Sequence, residues 1–240
     1  MATPNGRGRG PLALVSRDTD VAFYTREAAR MGAPVLILGC AHGRIAWELA
    51  EAGFHAVGVD PSAVMIAAAE ERRSHEPREA AERLQLKVSD LRALRLGEKY
   101  KLVLAPQNAV GLMATLEELD ALFTTVARHL APHGTFVLDA SNPKPAELHR
   151  DPEELIPPYL EPRRPLFAPH LRERKRAHAA AAHSGIRRLR VGEFYPAELD
   201  ASLQRSGLRV SSRHGDFEGK PFLPAGGLQV VVANLADDGA

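Results

Sequence analysis

The 240-residue sequence holds a single cysteine, Cys40, so no disulfide can close within it, and a lone thiol suits a reducing compartment. A cytoplasmic protein is the expectation. Neither sign of charge is in excess: 31 Lys and Arg stand against 30 Asp and Glu. Bulk charge therefore names neither nucleic acid nor membrane as a partner. No apolar run approaches the roughly 18 residues of a membrane-spanning helix. The opening MATPNGRGRGPLALV has neither the apolar core nor the cleavage site of a secretion signal. Two nucleotide fingerprints are also missing. G-x-x-x-x-G-K-[ST] occurs nowhere, which excludes a P-loop. Where the dinucleotide pattern G-x-G-x-x-G should stand, the chain reads Gly39, Ala41 and Arg44, which counts against NAD or FAD.

What is present centres on Pro34 to Asp60, PVLILGCAHGRIAWELAEAGFHAVGVD. Val35 to Leu38 is a continuous apolar run, expected of a strand buried on both faces of a parallel sheet. Gly39 and Gly43 bracket a short loop. Arg44 to Ala52 has good helix formers with Ile45, Trp47 and Leu49 to bury, and Gly53 ends it. Phe54 to Val59 is the next strand. Asp60 follows Gly39 by about 20 residues, the spacing at which a βαβ unit sets a carboxylate on a ribose hydroxyl.

The stretch Leu36-Ile37-Leu38-Gly39-Cys40-Ala41-His42-Gly43-Arg44 resembles the first motif of class I S-adenosylmethionine-dependent methyltransferases. Ile45-Ala46, Glu48-Leu49-Ala50 and Val57-Gly58-Val59-Asp60-Pro61-Ser62 continue the resemblance, which runs to about residue 140 and resumes near 191. It implies a Rossmann-like α/β fold: a seven-stranded, mostly parallel sheet, helices on both faces, and an inserted Pro/Arg-rich segment. It implies S-adenosylmethionine as cofactor, S-adenosylhomocysteine as product, and cofactor contacts from Gly39, Cys40, Ala41, Gly43, Asp60, Pro61, Asp90, Leu91 and Gln107. Asp90 would accept from the adenine amino group with Leu91 along the ring; a turn aspartate is the alternative. The chain departs from the family in three places, two of them inside the motif. Ile37 replaces the acid that meets the methionine amino group, Ala41 replaces the middle glycine, and Lys101 stands where an Asp is usual.

Along the rest of the chain, residues 1–17 read as a flexible terminus and 18–140 as the cofactor-binding core. Residues 141–190 read as an inserted lid or partner-binding segment, and 191–240 as the returning part of the core. Asp18 to Met31 reads as an amphipathic helix whose Tyr24 either packs or reaches the ligand. A helix over Pro61 to Arg73 is capped by Ser62, with Ala63, Ile66 and Ala67 on its apolar side. Ser74 to Arg83 reads as a solvated extension. Strands follow at Leu84 to Val88, Lys99 to Leu104 and Thr135 to Asp139, with a helix over Leu116 to Leu130. Gln107 and Asn108 close the fourth strand as site candidates or as surface loop. His170 to His183 should be helical from its Ala, Leu, Arg, Lys and Glu content. No period-2 alternation marks the antiparallel lid that the family inserts there. Tyr195-Pro196 starts a helix, and Leu208 to Ser212 with Leu228 to Asn234 form a final antiparallel pair. Gly215-Asp216-Phe217 between them matches an element of the family.

Nine basic residues, Arg163, Arg164, Arg172, Arg174, Lys175, Arg176, Arg187, Arg188 and Arg190, surround Glu173 alone. This patch is a solvated face, a dock for an acidic protein or anionic substrate, or an RNA contact; the last is disfavoured because no aromatics interleave for base stacking. His149, His170, His178 and His183 lack ligand spacing, so no metal is expected. Two functions remain open. One is methyl transfer to a small-molecule acceptor, with Tyr24, His42 and Asn108 as weak catalytic candidates. The other is a non-catalytic protein on the same fold, an adaptor or regulator acting through the insert.

Overall fold

Apolar runs too short for buried helices become strands, and the helices between them follow the amphipathic stretches. The computed structural model describes residues 17–143, 171–174 and 189–236. The helices are α1 (Arg17–Met31), α2 (Arg44–Glu51), α3 (Ala63–Glu71), α4 (Arg78–Arg83), α5 (Leu116–His129) and α6 (Pro196–Arg205). The strands are β1 (Val35–Leu38), β2 (Ala56–Asp60), β3 (Leu84–Val88), β4 (Tyr100–Ala105), β5 (Leu130–Ser141), β6 (Leu171–Arg174), β7 (Leu189–Gly192), β8 (Leu208–His214) and β9 (Leu228–Leu235).

Seven strands form one sheet in the order β3-β2-β1-β4-β5-β9-β8. The first five are parallel, and β9 runs antiparallel between β5 and β8. The strand order reverses between β1 and β4, the switch point at which open α/β sheets bind ligands beyond the carboxyl ends. Every residue of β1 and β2 is buried, which is why both lack alternation. One face packs Val35, Ile37, Leu104 and Val137 with α1, α2, α3 and α4. The other packs Leu36, Leu38, Val103, Phe136 and Leu138 with α5 and α6. The seven-stranded, mostly parallel α/β architecture expected from the resemblance is thus present.

Local expectations hold where chemistry fixes them. The Ser62 hydroxyl caps α3 by accepting from the Met65 N–H at 3.3 Å. Pro196 sits in the first turn of α6, and the Glu198 carboxylate accepts from the Tyr195 N–H at 2.8 Å.

Four expectations are corrected. Helix α3 buries Ile66 and Ala69, leaving Ala63 and Ala67 outside. The charged stretch after it is not a loose extension: a 3₁₀ turn over Arg72–His75 leads into α4, which buries Ala80. Arg73 holds this return by bonding Glu70 and the carbonyls of Ala81 and Leu84 while lying 5.2 Å from the Trp47 ring centroid. Strand β5 begins five residues earlier than expected, at Leu130, and absorbs the Pro132-His133-Gly134 turn as an irregularity in its pairing with β4. Finally, residues 171–174 are not helical. They pair antiparallel with 189–192, so cross-strand hydrogen bonding overrides local helix propensity there. Arg163, Arg164, Lys175, Arg176, Arg187 and Arg188, all four insert histidines and the terminus 1–16 lie outside the described residues.

Candidate functional site

Two loops and two carboxylates meet at the switch point. The first loop joins β1 to α2. Gly39 leaves the sheet at φ 72°, and a Cβ there would stand 2.7 Å from the Ala109 Cβ, so glycine is required. Ala41 occupies the left-handed region at φ 50°, the conformation a glycine would take. Its N–H donates to Asp60 Oδ2 at 2.9 Å, while the Ser62 N–H donates to Oδ1 at 2.9 Å. Asp60 therefore ends β2 with its carboxylate turned back across the mouth of the loop. Cys40 is buried behind the loop, and burial pushes its thiol up to about 12, so it packs rather than reacts. His42 and Pro61 are exposed on the rim.

The second loop follows β4. Gln107 and Asn108 both take positive φ, 58° and 57°. Their N–H groups converge on one carboxylate, Asp139, at 2.7 and 3.0 Å. The Tyr24 hydroxyl donates to the same group at 2.5 Å. Burial pushes Asp139 above the usual carboxylate range, against the pull of these three donors. Burial and the neighbouring Asp139 also raise Tyr24 well above its ordinary value. Tyr24 is fully enclosed and keeps its proton, which removes it as a general base.

Helix α1 brings a second acid to the same place. Asp20 pairs with both terminal nitrogens of Arg44, one contact at 3.0 Å, and this pairing raises the Arg44 pKa. The Gln107 side-chain oxygen, in the orientation that satisfies both ends of its amide, accepts from Arg44 Nε at 2.9 Å and Nη2 at 2.5 Å. An Asp20–Arg44–Gln107 chain thus runs beside the Tyr24–Asp139 bond. Phe23, Tyr24 and Phe217 pack ring to ring at 5.3 to 5.8 Å, Tyr24 edge to face with the other two, so Phe217 of the Gly215-Asp216-Phe217 element seats α1.

The sequence candidates divide accordingly. Gly39, Cys40, Ala41, Gly43 and Asp60 come together, and Gln107 and Asn108 border them. Asp90 is exposed, and its carboxylate takes Arg92 Nε and Nη2 at 2.9 and 2.7 Å, which holds its pKa below the usual range. Leu91 is buried in the core. Ile37 is wholly buried among Tyr24, Leu104 and Val137. Lys101 is exposed at the amino end of β4, far along the strand from the carboxyl-end loops. Asp20, Arg44 and Asp139 were missed as site residues. Asp139 carried a signal, because Thr135-Phe136-Val137-Leu138-Asp139 ends an apolar strand with an acid as Val59-Asp60 does.

This sheet order, the glycine turn and the acid at the end of β2 define a Rossmann-like α/β fold. Residues 35–134 match a family described as the methyltransferase domain. It is 35% identical over 130 residues to a cypemycin N-terminal methyltransferase of Streptomyces, covering 54% of this chain and 50% of that protein. The chain spans about half the length of the curated relatives it matches. Its fold is shared with the CcbJ methyltransferase of Streptomyces caelestis at TM-score 0.70 and 23% identity, over 96% of this chain and 100% of that one. It is also shared with the glycopeptide N-methyltransferase MtfA complexed with S-adenosylmethionine, at TM-score 0.65 and 19% identity over 90% and 93% of the two chains. Among the described residues no helix is long and apolar enough to cross a membrane.

Proposed function

We propose that the protein transfers a methyl group from S-adenosylmethionine to a nitrogen of a small molecule or short modified peptide. The observation that carries this reading is Ala41. It keeps the left-handed backbone and the bond to Asp60, so the loop holds its shape without its middle glycine. The names of two similar proteins, an N-terminal and a glycopeptide N-methyltransferase, support nitrogen as the acceptor atom.

The residues fit the cofactor from end to end. Asp60 offers its remaining lone pairs to the two ribose hydroxyls. Gly39 to Gly43 leave backbone close to the adenosyl group. Asp90 reaches adenine by sharing its carboxylate with Arg92. With Ile37 unable to hold the methionine ammonium, Asp20 would take that part and Arg44 the carboxylate, each exchanging part of the bond it makes to the other. The bound sulfonium supplies an electrophilic methyl group. The protein contributes alignment and the exclusion of water. A nitrogen acceptor that arrives unprotonated needs no base, consistent with a Tyr24 locked against Asp139.

Calorimetric titration with S-adenosylmethionine tests the reading. Binding in the micromolar range is expected. Silence at millimolar ligand would overturn it and leave the adaptor function.

A further inference from the structure

Gln229 is the second residue of β9 and has no exposed surface, yet neither its Nε2 nor its Oε1 has a hydrogen-bond partner among the described residues. A buried polar group left unpaired costs on the order of 1–3 kcal/mol. A leucine or methionine would pack the position without that cost, so the amide needs another reason.

Its position supplies one. Register sets Gln229 opposite Ala140, as Val231 is opposite Leu138 and Ala233 opposite Phe136. All of these other residues belong to the face that carries Met113 and Phe194. Asp139, between Leu138 and Ala140, turns to the opposite face and Tyr24. Gln229 is therefore separated from the Asp139 carboxylate by the thickness of the sheet. Two segments stand at the carboxyl ends of β4 and β5, toward this face. Asn108 Oδ1 accepts from the Ser141 N–H at 3.2 Å, which brings the β4 turn beside Ala140. Strand β7 returns from the insert and ends at Gly192, where a Cβ would stand 2.1 Å from the Met113 carbonyl oxygen. Strand β7 is thus pressed against the Ala109–Leu112 turn that Asn108 caps.

We propose that Gln229 is an acceptor-recognising residue whose amide forms a pair of hydrogen bonds with a carboxamide edge of the methyl acceptor. An amide presents one acceptor and one donor side by side, and its complement is another amide edge. A carboxylate would face Oε1 and an ammonium would face Nε2, so either ion leaves one of the two atoms opposed. A peptide or amide-bearing acceptor fits, and discrimination against analogues lacking the group follows from the cost of leaving buried polar atoms unpaired. The inference rests on the methyltransferase reading for the word acceptor, but not for the site.

The experiment titrates acetamide into the ¹⁵N-labelled full chain saturated with S-adenosylhomocysteine, following the Gln229 side-chain NH₂ signal by NMR. A saturable shift of that signal is expected. In Gln229→Met the saturable response of the neighbouring Asn108 and Ala140 backbone signals should weaken at least about tenfold, the loss expected for a hydrogen-bonded pair. S-adenosylhomocysteine affinity, read by calorimetry, should be unchanged, and the melting temperature equal or higher because an unpaired buried amide has been removed. No saturable shift at tens of millimolar acetamide overturns the proposal. So does a fall in melting temperature with acetamide binding unchanged, which would make Gln229 structural. If S-adenosylhomocysteine does not bind at all, the methyltransferase reading fails separately, and the acetamide titration of the free chain still decides the site.

Discussion

Asp60 and Asp139 are built alike and used differently. Asp60 ends β2 and Asp139 stands near the carboxyl end of β5, and each accepts two backbone N–H groups, with left-handed residues in the loops that supply them. The difference is the third side. Asp60 faces the mouth of the glycine turn, whereas Asp139 is closed off by the Tyr24 hydroxyl and lies under α1. One carboxylate is left facing the loop mouth, where the proposed function employs it, and the other fastens the first helix to the sheet. The same local geometry thus yields a binding group or a structural bolt, depending on whether a neighbouring helix completes its hydrogen bonds.

The largest effect should separate them. Asp139→Ala strands the Tyr24 hydroxyl and two buried N–H groups, and should cost about 3 kcal/mol of stability in urea unfolding. Asp60→Ala leaves two N–H groups that border the loop mouth and can be hydrated, so stability should fall by about 1 kcal/mol or less. Equal losses from the two would dissolve the contrast.

Cofactor affinity should order the pair the other way. Asp60→Ala removes charge-assisted bonds to two hydroxyls and should weaken S-adenosylmethionine binding about 100-fold in calorimetry. An unchanged affinity would mean that the sugar is held elsewhere.

The pH dependence gives a smaller, signed test. Burial raises Asp139, so the folded state holds this proton more tightly than the unfolded chain does. Its contribution is present below the free carboxylate value of about 3.9 and lost as pH rises through the raised folded value. His129, on the opposite face, has the reverse sign. The Leu96 N–H donates to its Nε2 at 2.9 Å, so Nδ1 carries the proton toward the Thr125 carbonyl at 2.7 Å. Burial lowers its pKa, and the unfolded imidazole takes up a proton that the folded one refuses. Stability should fall below about pH 6.5, by at most about 1.4 kcal/mol per pH unit for one proton. Because Asp139 acts with the opposite sign, the slope is read as the difference between the unsubstituted chain and His129→Gln, which leaves Asp139 in place, in urea midpoints measured from about pH 7.5 downward.

Much of the arrangement was legible because it rests on local chemistry. Uninterrupted apolar runs gave β1 and β2, Ser62 its cap, Gly53 a stop, and the spacing from Gly39 to Asp60 the acid at the mouth of the glycine turn. Asp139 was not recognised, since its role depends on Tyr24 more than a hundred residues away and on two loop conformations that no residue type demands. Gln107 and Asn108 are not glycines, yet both adopt positive φ, held there by the carboxylate they bond. The pairing of 171–174 with 189–192 was likewise invisible, because four-residue strands carry too little alternation to outweigh their helix-forming composition. Lys101, which read as a lost acid, stands at the wrong end of β4 to matter to the site.

The smallest effect concerns the loop beside Asp60. Ala41 in the left-handed region carries a strain of roughly 1–2 kcal/mol that a glycine would not. Ala41→Gly removes it but adds freedom to the unfolded chain, so the net gain in stability should be about 0.5–1 kcal/mol. Its effect on the cofactor tells two explanations apart. If the methyl group crowds the ligand, the glycine variant should bind S-adenosylmethionine at least about tenfold more tightly, a gain of some 1.4 kcal/mol. The geometry argues otherwise: the Ala41 N–H already sits 2.9 Å from Asp60, so the loop is in its working shape with the methyl group in place. The expected change in affinity is therefore under about threefold, less than 1 kcal/mol. A tenfold gain would show that the alanine is tolerated by the empty loop and resisted by the filled one. Asp60 would then be a binding group working below its capacity, unlike Asp139, whose partners are complete.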